Sequence, residues 1–251
     1  MKKAILLVVM ALVAVLVQPA HQPVQAQGAI PIAYGEVLAG DISAGSIFYS
    51  FTAQEGEFAA VQLIPKFDAA VIGADIIVTS PSGTELGNSA KSRVFRGVGE
   101  VVVAEIVETG EHTIEVALSN SGKAGSYELI LNQAIEIPLD SNAQGEAVSS
   151  PSREYTRYST FFIVRSTTPV NITYTFTGGT YAPFVVVHSL DAGNTLNPIA
   201  YLGGTGLDGG SMTVAGDPMF QIITVGSSDL GQLSYEEPGS ATFTLEVAAA
   251  N

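Results

Sequence analysis

The side chains best suited to holding a cation are scattered aspartates. Asp68 and Asp75 stand in the first half of the chain, and Asp191, Asp208 and Asp217 in the second. Ca2+ takes six to eight oxygens from carboxylates and carbonyls on irregular loops. These aspartates are therefore the candidate ligands of a structural Ca2+. Nothing around them matches an EF-hand loop or a nonapeptide repeat, and a solvated acidic surface is the plainer reading of the same residues. The second available chemistry is ring stacking on a ligand. Tyr155, Tyr158, Tyr181 and Tyr201, with Tyr174 and Tyr235, cluster in the second half. Most tyrosines of this kind pack in cores or at strand ends, and the chain has no Trp to add a stronger platform.

Groups for bond-breaking chemistry are sparse. A hydrolase needs an activated nucleophile or a metal-bound water. His112 and His188 each sit inside an alternating strand pattern, with no second ligand at metal spacing, and read as structural residues. No Gly-x-Ser-x-Gly elbow is present, and pairs such as Gly45-Ser46 and Gly125-Ser126 read as turns. The run Gly203-Gly204-Thr205-Gly206-Leu207-Asp208-Gly209-Gly210 has neither the Lys nor the following helix of a phosphate loop. It reads as a hairpin or sandwich-end loop. A Ser-His-Asp triad assembled from distant residues and a carboxylate pair for glycoside cleavage are the catalytic devices that sequence leaves open.

The elements that must position these residues begin after a leader. Lys2 and Lys3 precede an unbroken apolar run, Ala4 to Val17, which is the length of a signal-peptide core and short for a membrane span. Pro19 and Pro23 end it, and Val24-Gln25-Ala26 fits the small-residue cleavage rule, so residues 1–26 are expected to be a signal peptide. No Cys follows that could carry a lipid. No later stretch is apolar and long enough to span a bilayer, so no membrane insertion is expected after cleavage. The expected location is outside the cytoplasm, periplasmic or extracellular.

The chain of 251 residues carries a formal net charge of −14. Such a surface repels phosphate backbones and anionic lipid, which argues against nucleic-acid partners. With no Cys, thiol nucleophiles, iron–sulfur clusters and Cys-ligated zinc are excluded, and an exported fold must rest on its core alone. At 47% apolar residues the composition supplies one.

After the leader the pattern is one of strands. Runs rich in Val, Ile, Thr, Tyr and Phe alternate with Gly, Ser, Asn, Asp and Pro clusters. Examples are Ile47 to Ala53, Phe58 to Ile64, Asp75 to Ser80, Val101 to Ile106, His112 to Leu118 and Tyr127 to Leu131. No amphipathic helix separates them, so the fold class is all-β, with antiparallel sandwiches. Asn132 to Pro151 mixes Pro, Ser, Asn, Gln and Gly and reads as a break, with a boundary near Pro138. The order of runs then repeats: Arg157 to Val164 stands for Ile47 to Ala53, Phe220 to Val225 for His112 to Leu118, and Thr242 to Val247 for Tyr127 to Leu131. Two divergent copies of one unit, 27–137 and 138–251, explain this.

The first unit resembles the bacterial pre-peptidase C-terminal domain, a small jelly-roll-like sandwich of secreted proteins. The resemblance runs from Tyr34 to Asn132. It rests on Gly35-Glu36-Val37, on Phe48-Tyr49-Ser50-Phe51-Thr52-Ala53 ending in Gly56, and on Ser80-Pro81-Ser82-Gly83-Thr84-Glu85-Leu86. Thr109-Gly110-Glu111-His112-Thr113-Ile114-Glu115-Val116 and Gly125-Ser126-Tyr127-Glu128-Leu129 complete it. The second unit departs, with Asp217-Pro218-Met219-Phe220 where a Gly-x-Tyr or Gly-x-His turn would precede the strand. The resemblance implies an accessory module that binds, spaces or helps secretion, without activity, and with the repeat the expected fold is two tandem jelly-roll-like sandwiches. The expectation is a non-catalytic secreted protein that binds a protein or extracellular matrix partner. A carbohydrate-binding module is the alternative from another class, and a small hydrolase the remote one.

Overall fold

A computed structural model describes residues 28–66, 73–92, 99–119, 122–148, 157–179, 184–191, 195–203, 209–227 and 240–250; of 157–159, 184, 203, 217–222 and 224–227 it describes the backbone alone. The leader read at 1–26 lies outside the described residues. Among those described, the one helical element is a 3-10 turn at Ser89–Lys91, capped by the Asn88 side chain on the Ala90 N–H. No described helix is long and apolar enough to cross a membrane.

The first half holds β1 (Ile30–Pro31), β2 (Val37–Ile42), β3 (Ser46–Ala53), β4 (Phe58–Pro65), β5 (Ala74–Thr79), β6 (Glu85–Asn88), β7 (Glu100–Glu105), β8 (Gly110–Leu118) and β9 (Gly125–Glu136). The second holds β10 (Ser141–Val148), β11 (Arg157–Ser166), β12 (Val170–Gly179), β13 (Phe184–Leu190), β14 (Leu196–Gly203), β15 (Gly210–Val214), β16 (Asp217–Ser227) and β17 (Ser240–Ala249). The fold is all-β, and a strand order recurs between its halves. The order β3-β8-β5-β6 recurs as β11-β16-β13-β14, and β4 between β9 and β7 recurs as β12 between β17 and β15. In each half an early strand, β2 or β10, pairs antiparallel with the last one, β9 or β17.

The pairing of these last strands uses the same device twice. Gly40 lies opposite Tyr127, and Gly145 opposite Phe243. A Cβ on Gly40 would fall 2.5 Å from the Tyr127 ring, and one on Gly145 would strike the Phe243 ring. Each glycine clears room for an aromatic side chain that its own strand partner lays over it.

Alternation along the strands builds two cores. Tyr49, Phe51, Ile76, Val78, Ile114 and Val116 of one sheet meet Val61, Leu63, Val102, Ala104, Leu129 and Leu131 of the next. In the second half, Phe162, Val164, Val185 and Val187 meet Ile172, Tyr174, Phe243 and Leu245.

A third core joins the halves. All eight residues of β4 are buried, which period-two alternation on one face does not explain. Its second face, Phe58 and Ala60, packs with Val101 and Val103 of β7 against Phe161 and Ile163 of β11 and Val186 and Leu190 of β13. Of the stretch 132–151, read as a break, residues 132–136 belong to β9 and 141–148 to β10. β9 runs on to Glu136, where Ile135 and Glu136 pair parallel with Phe162 and Ile163, making one eight-stranded sheet across both halves. The chain turns at Asp140, held at positive φ with its Oδ1 accepting the Ala249 N–H at 3.1 Å. Arg165 adds a polar clamp, 3.2 Å from Glu136, 3.6 Å from Glu105 and over the Phe58 ring.

Candidate functional site

Because the three cores use both faces of the middle sheet and one face of each outer sheet, two broad faces remain outward. That of β10-β17-β12-β15 is the more uniform. In β12 the inward set is Val170, Ile172 and Tyr174, and the outward set Asn171, Thr173 and Thr175. Register carries this pattern across neighbouring strands. Asn171 stands opposite Thr213 and Thr173 opposite Ser211 on β15. On the other side Thr175 stands opposite Thr244, and Thr244 opposite Gln144. Directly opposed residues share a face, so hydroxyls and amides form rows across the sheet.

Some of these groups fix one another. Thr213 donates from Oγ1 to Asn171 Oδ1 at 2.7 Å. Thr177 donates to Thr242 Oγ1 at 3.1 Å beside the bulge at Gly178. Above β12 and β15 lies an open depression of about 360 Å³, lined by Asn171, Thr173, Ser211, Met212 and Thr213. Met212 turns its side chain toward the second core, so the lining is polar.

Of the aspartates nominated from sequence, Asp75 and Asp191 have described side chains. Asp68 and Asp208 lie outside the described residues, and Asp217 is described by its backbone, opposite Ser166. Asp191 closes the turn after β13, where its Oδ1 accepts the Thr195 N–H at 3.0 Å. Asp75 belongs to β5 in the first sandwich. Among the described residues no three His, Asp or Glu side chains converge as a metal cluster would require. Asp75 has instead an acidic neighbour that sequence reading missed, Glu100 at the start of β7. Burial pushes the Glu100 carboxyl above its usual range, the Ser89 hydroxyl pulls it back, and the Asp75 charge pushes it further up. Burial also raises Asp75. Ser89 accepts the Ile76 N–H at 2.9 Å, which locks this group at the end of the first core.

Both histidines are interior. His112 is fully buried, its ring 5.3 Å from that of Phe51, with Nδ1 donating to the Gly110 carbonyl at 3.1 Å. Nε2 has no hydrogen-bond partner. Burial lowers its pKa, against the raising effects of the Gly110 carbonyl, Glu108 and Glu57. His188 is buried on β13. Of the tyrosines, Tyr155, Tyr181 and Tyr235 lie outside the described residues, and Tyr158 is described by its backbone in β11. Tyr174 is core. Tyr201 is half exposed on the edge strand β14, two residues from exposed Ile199.

No protein-family model matches the chain, and no curated protein matches it. Among solved structures, the chain is similar to the pre-peptidase C-terminal domain of collagenase from Bacillus anthracis. The identity is 15%, over 42% of this chain and 95% of that one, with a TM-score of 0.33. A periplasmic inhibitor of g-type lysozyme from Aeromonas hydrophila gives 15% identity over the same shares, with a TM-score of 0.34. A tail fibre protein from a phage of E. coli gives 8% identity over 89% of this chain and 42% of that chain, with a TM-score of 0.33. These are likenesses and assign the chain to no family.

Proposed function

We propose that this chain is an exported, non-catalytic accessory protein that binds a macromolecular partner outside the cytoplasm. The binding surface in this reading is the outward face of β10-β17-β12-β15. The observation that supports it is the registered array of hydroxyls and amides on that face, backed by a packed core. Tyr174 and Phe243 meet there at 5.5 Å between ring centroids, and Phe162 and Phe243 at 6.3 Å. A face held rigid in this way loses little conformational entropy on binding. The leader pattern of Lys2, Lys3 and the apolar run supports export.

The test has two arms on the purified chain from Gln27 onward. It should co-sediment with extracellular or envelope material, and a Thr173→Lys/Thr175→Lys variant with an unchanged melt should not. Ordinary turnover of a peptide or polysaccharide library by the native chain would overturn the reading.

A further inference from the structure

We infer that the partner on this face is a neutral, polyhydroxylated polymer, a glycan chain laid across β12 and β15; the inference rests on the reading of the face as the binding surface. A sugar hydroxyl both donates and accepts, and so do the groups it would meet. Thr173, Ser211 and Thr213 each offer one O–H donor and acceptor lone pairs, and Asn171 offers an amide with both. The Thr213 hydroxyl occupies Asn171 Oδ1 at 2.7 Å. That bond uses the amide oxygen and leaves the two N–H groups as the donors Asn171 can offer a ligand.

The geometry suits an extended chain. Strands lie about 4.8 Å apart and outward side chains recur about every 7 Å along each. The polar groups therefore form an open grid, with the 360 Å³ depression over it.

Charge and composition narrow the class. The whole chain carries −14, so a polyanion is repelled and an uncharged polymer is not. Between β12 and β15 the outward residues Asn171, Thr173, Ser211 and Thr213 are all neutral. The nearest acid in the array is Glu246, opposite Thr173 on the β17 side. A protein partner would be gripped by aromatic, Met or Arg anchors at a dry centre. Hydroxyls and amides buried against protein cost free energy unless each is matched, whereas a hydrated glycan meets them directly or through water.

The experiment uses the exported chain on beads of cellulose, starch, β-1,3-glucan and chitin, with polygalacturonate as the anionic control. The variants are Asn171→Ala/Thr173→Ala on the face and Tyr201→Ala on the β14 edge. The expected result is retention on at least one neutral polymer, about tenfold weaker in the face variant, unchanged in Tyr201→Ala, with all three melts alike. No retention on any neutral polymer, retention on polygalacturonate alone, or loss with Tyr201→Ala but not with the face variant would each overturn it. Retention on extracellular protein that needs the face residues would sink the glycan and leave the binding surface standing. Catalytic turnover would remove both.

Discussion

Tyr49 and Tyr127 meet hydroxyl to hydroxyl, 2.7 Å apart, inside the first core. One stands on β3 and the other on β9, so the bond ties the two sheets of that sandwich together. Both side chains are fully buried, and each hydroxyl is the other's answer to lost water. Tyr127→Phe should strand the Tyr49 hydroxyl and cost about 1–3 kcal/mol. Tyr49→Phe/Tyr127→Phe should cost less than the sum of the two single changes. Urea unfolding of the four proteins checks this as a double-mutant cycle, and strict additivity would refute the bond.

The two glycine–aromatic pairs should behave alike. Gly40→Ala places a methyl against the Tyr127 ring, and Gly145→Ala one against Phe243. Overpacking of this kind costs about 1–3 kcal/mol. Thermal melts should show both variants destabilised. Gly83→Ala is a contrasting case, because open space surrounds that glycine and the strain there is backbone strain at positive φ.

The third core predicts that the halves melt together. Phe161 is fully buried between them, and Phe161→Ala should cost about 3–5 kcal/mol. Calorimetry should show one transition in the native chain, lowered as a whole in the variant. Two transitions in the native chain would mean that the junction contributes little.

A half-buried carboxyl and a buried imidazole set opposite pH responses. The Glu100 carboxyl has a raised pKa in the folded chain, so the folded state keeps a proton that the unfolded state releases near 4.5. Its contribution is most favourable below that value and is lost as pH rises through the raised one. Glu100→Gln should therefore raise the melting temperature at pH 7.5 and leave it unchanged at pH 4.

His112 runs the other way. Its pKa is lowered from 6.5, so the unfolded chain takes up the proton first as pH falls. Stability present above 6.5 is lost as pH falls from there to the lowered value. His112→Phe should flatten the melting temperature between pH 7.5 and 5.5 relative to the native chain. Equal slopes in the two proteins would place the acid sensitivity elsewhere.

Strand positions were legible because alternation is local. His112 to Leu118 and Val170 to Phe176 each declare an inward and an outward set within seven residues, and the structure keeps both. The order of such runs is local information too: Phe220 to Val225 lies in β16 and His112 to Leu118 in β8, each second in the strand orders β11-β16-β13-β14 and β3-β8-β5-β6.

Contacts across the chain were not legible. Glu100 was passed over because nothing near it in sequence shows that Asp75 and Ser89 will face it. The polar face was passed over because Asn171 and Thr213 become neighbours only through the register of β12 with β15. The signal was present in Asn171-Ile172-Thr173-Tyr174-Thr175, but alternation shows that one side is polar without showing what lies beside it.

The sequence alone determined that the chain is all-β, acidic and free of Cys, because composition and period-two patterning need no long-range information. Only the tertiary structure decided that β4 and β11 bury their second faces against each other, and that β9 extends to pair with β11. Phe58, Ala60, Phe161 and Ile163 are apolar in any fold, and which surface they cover is set by the burial that distant strands offer one another.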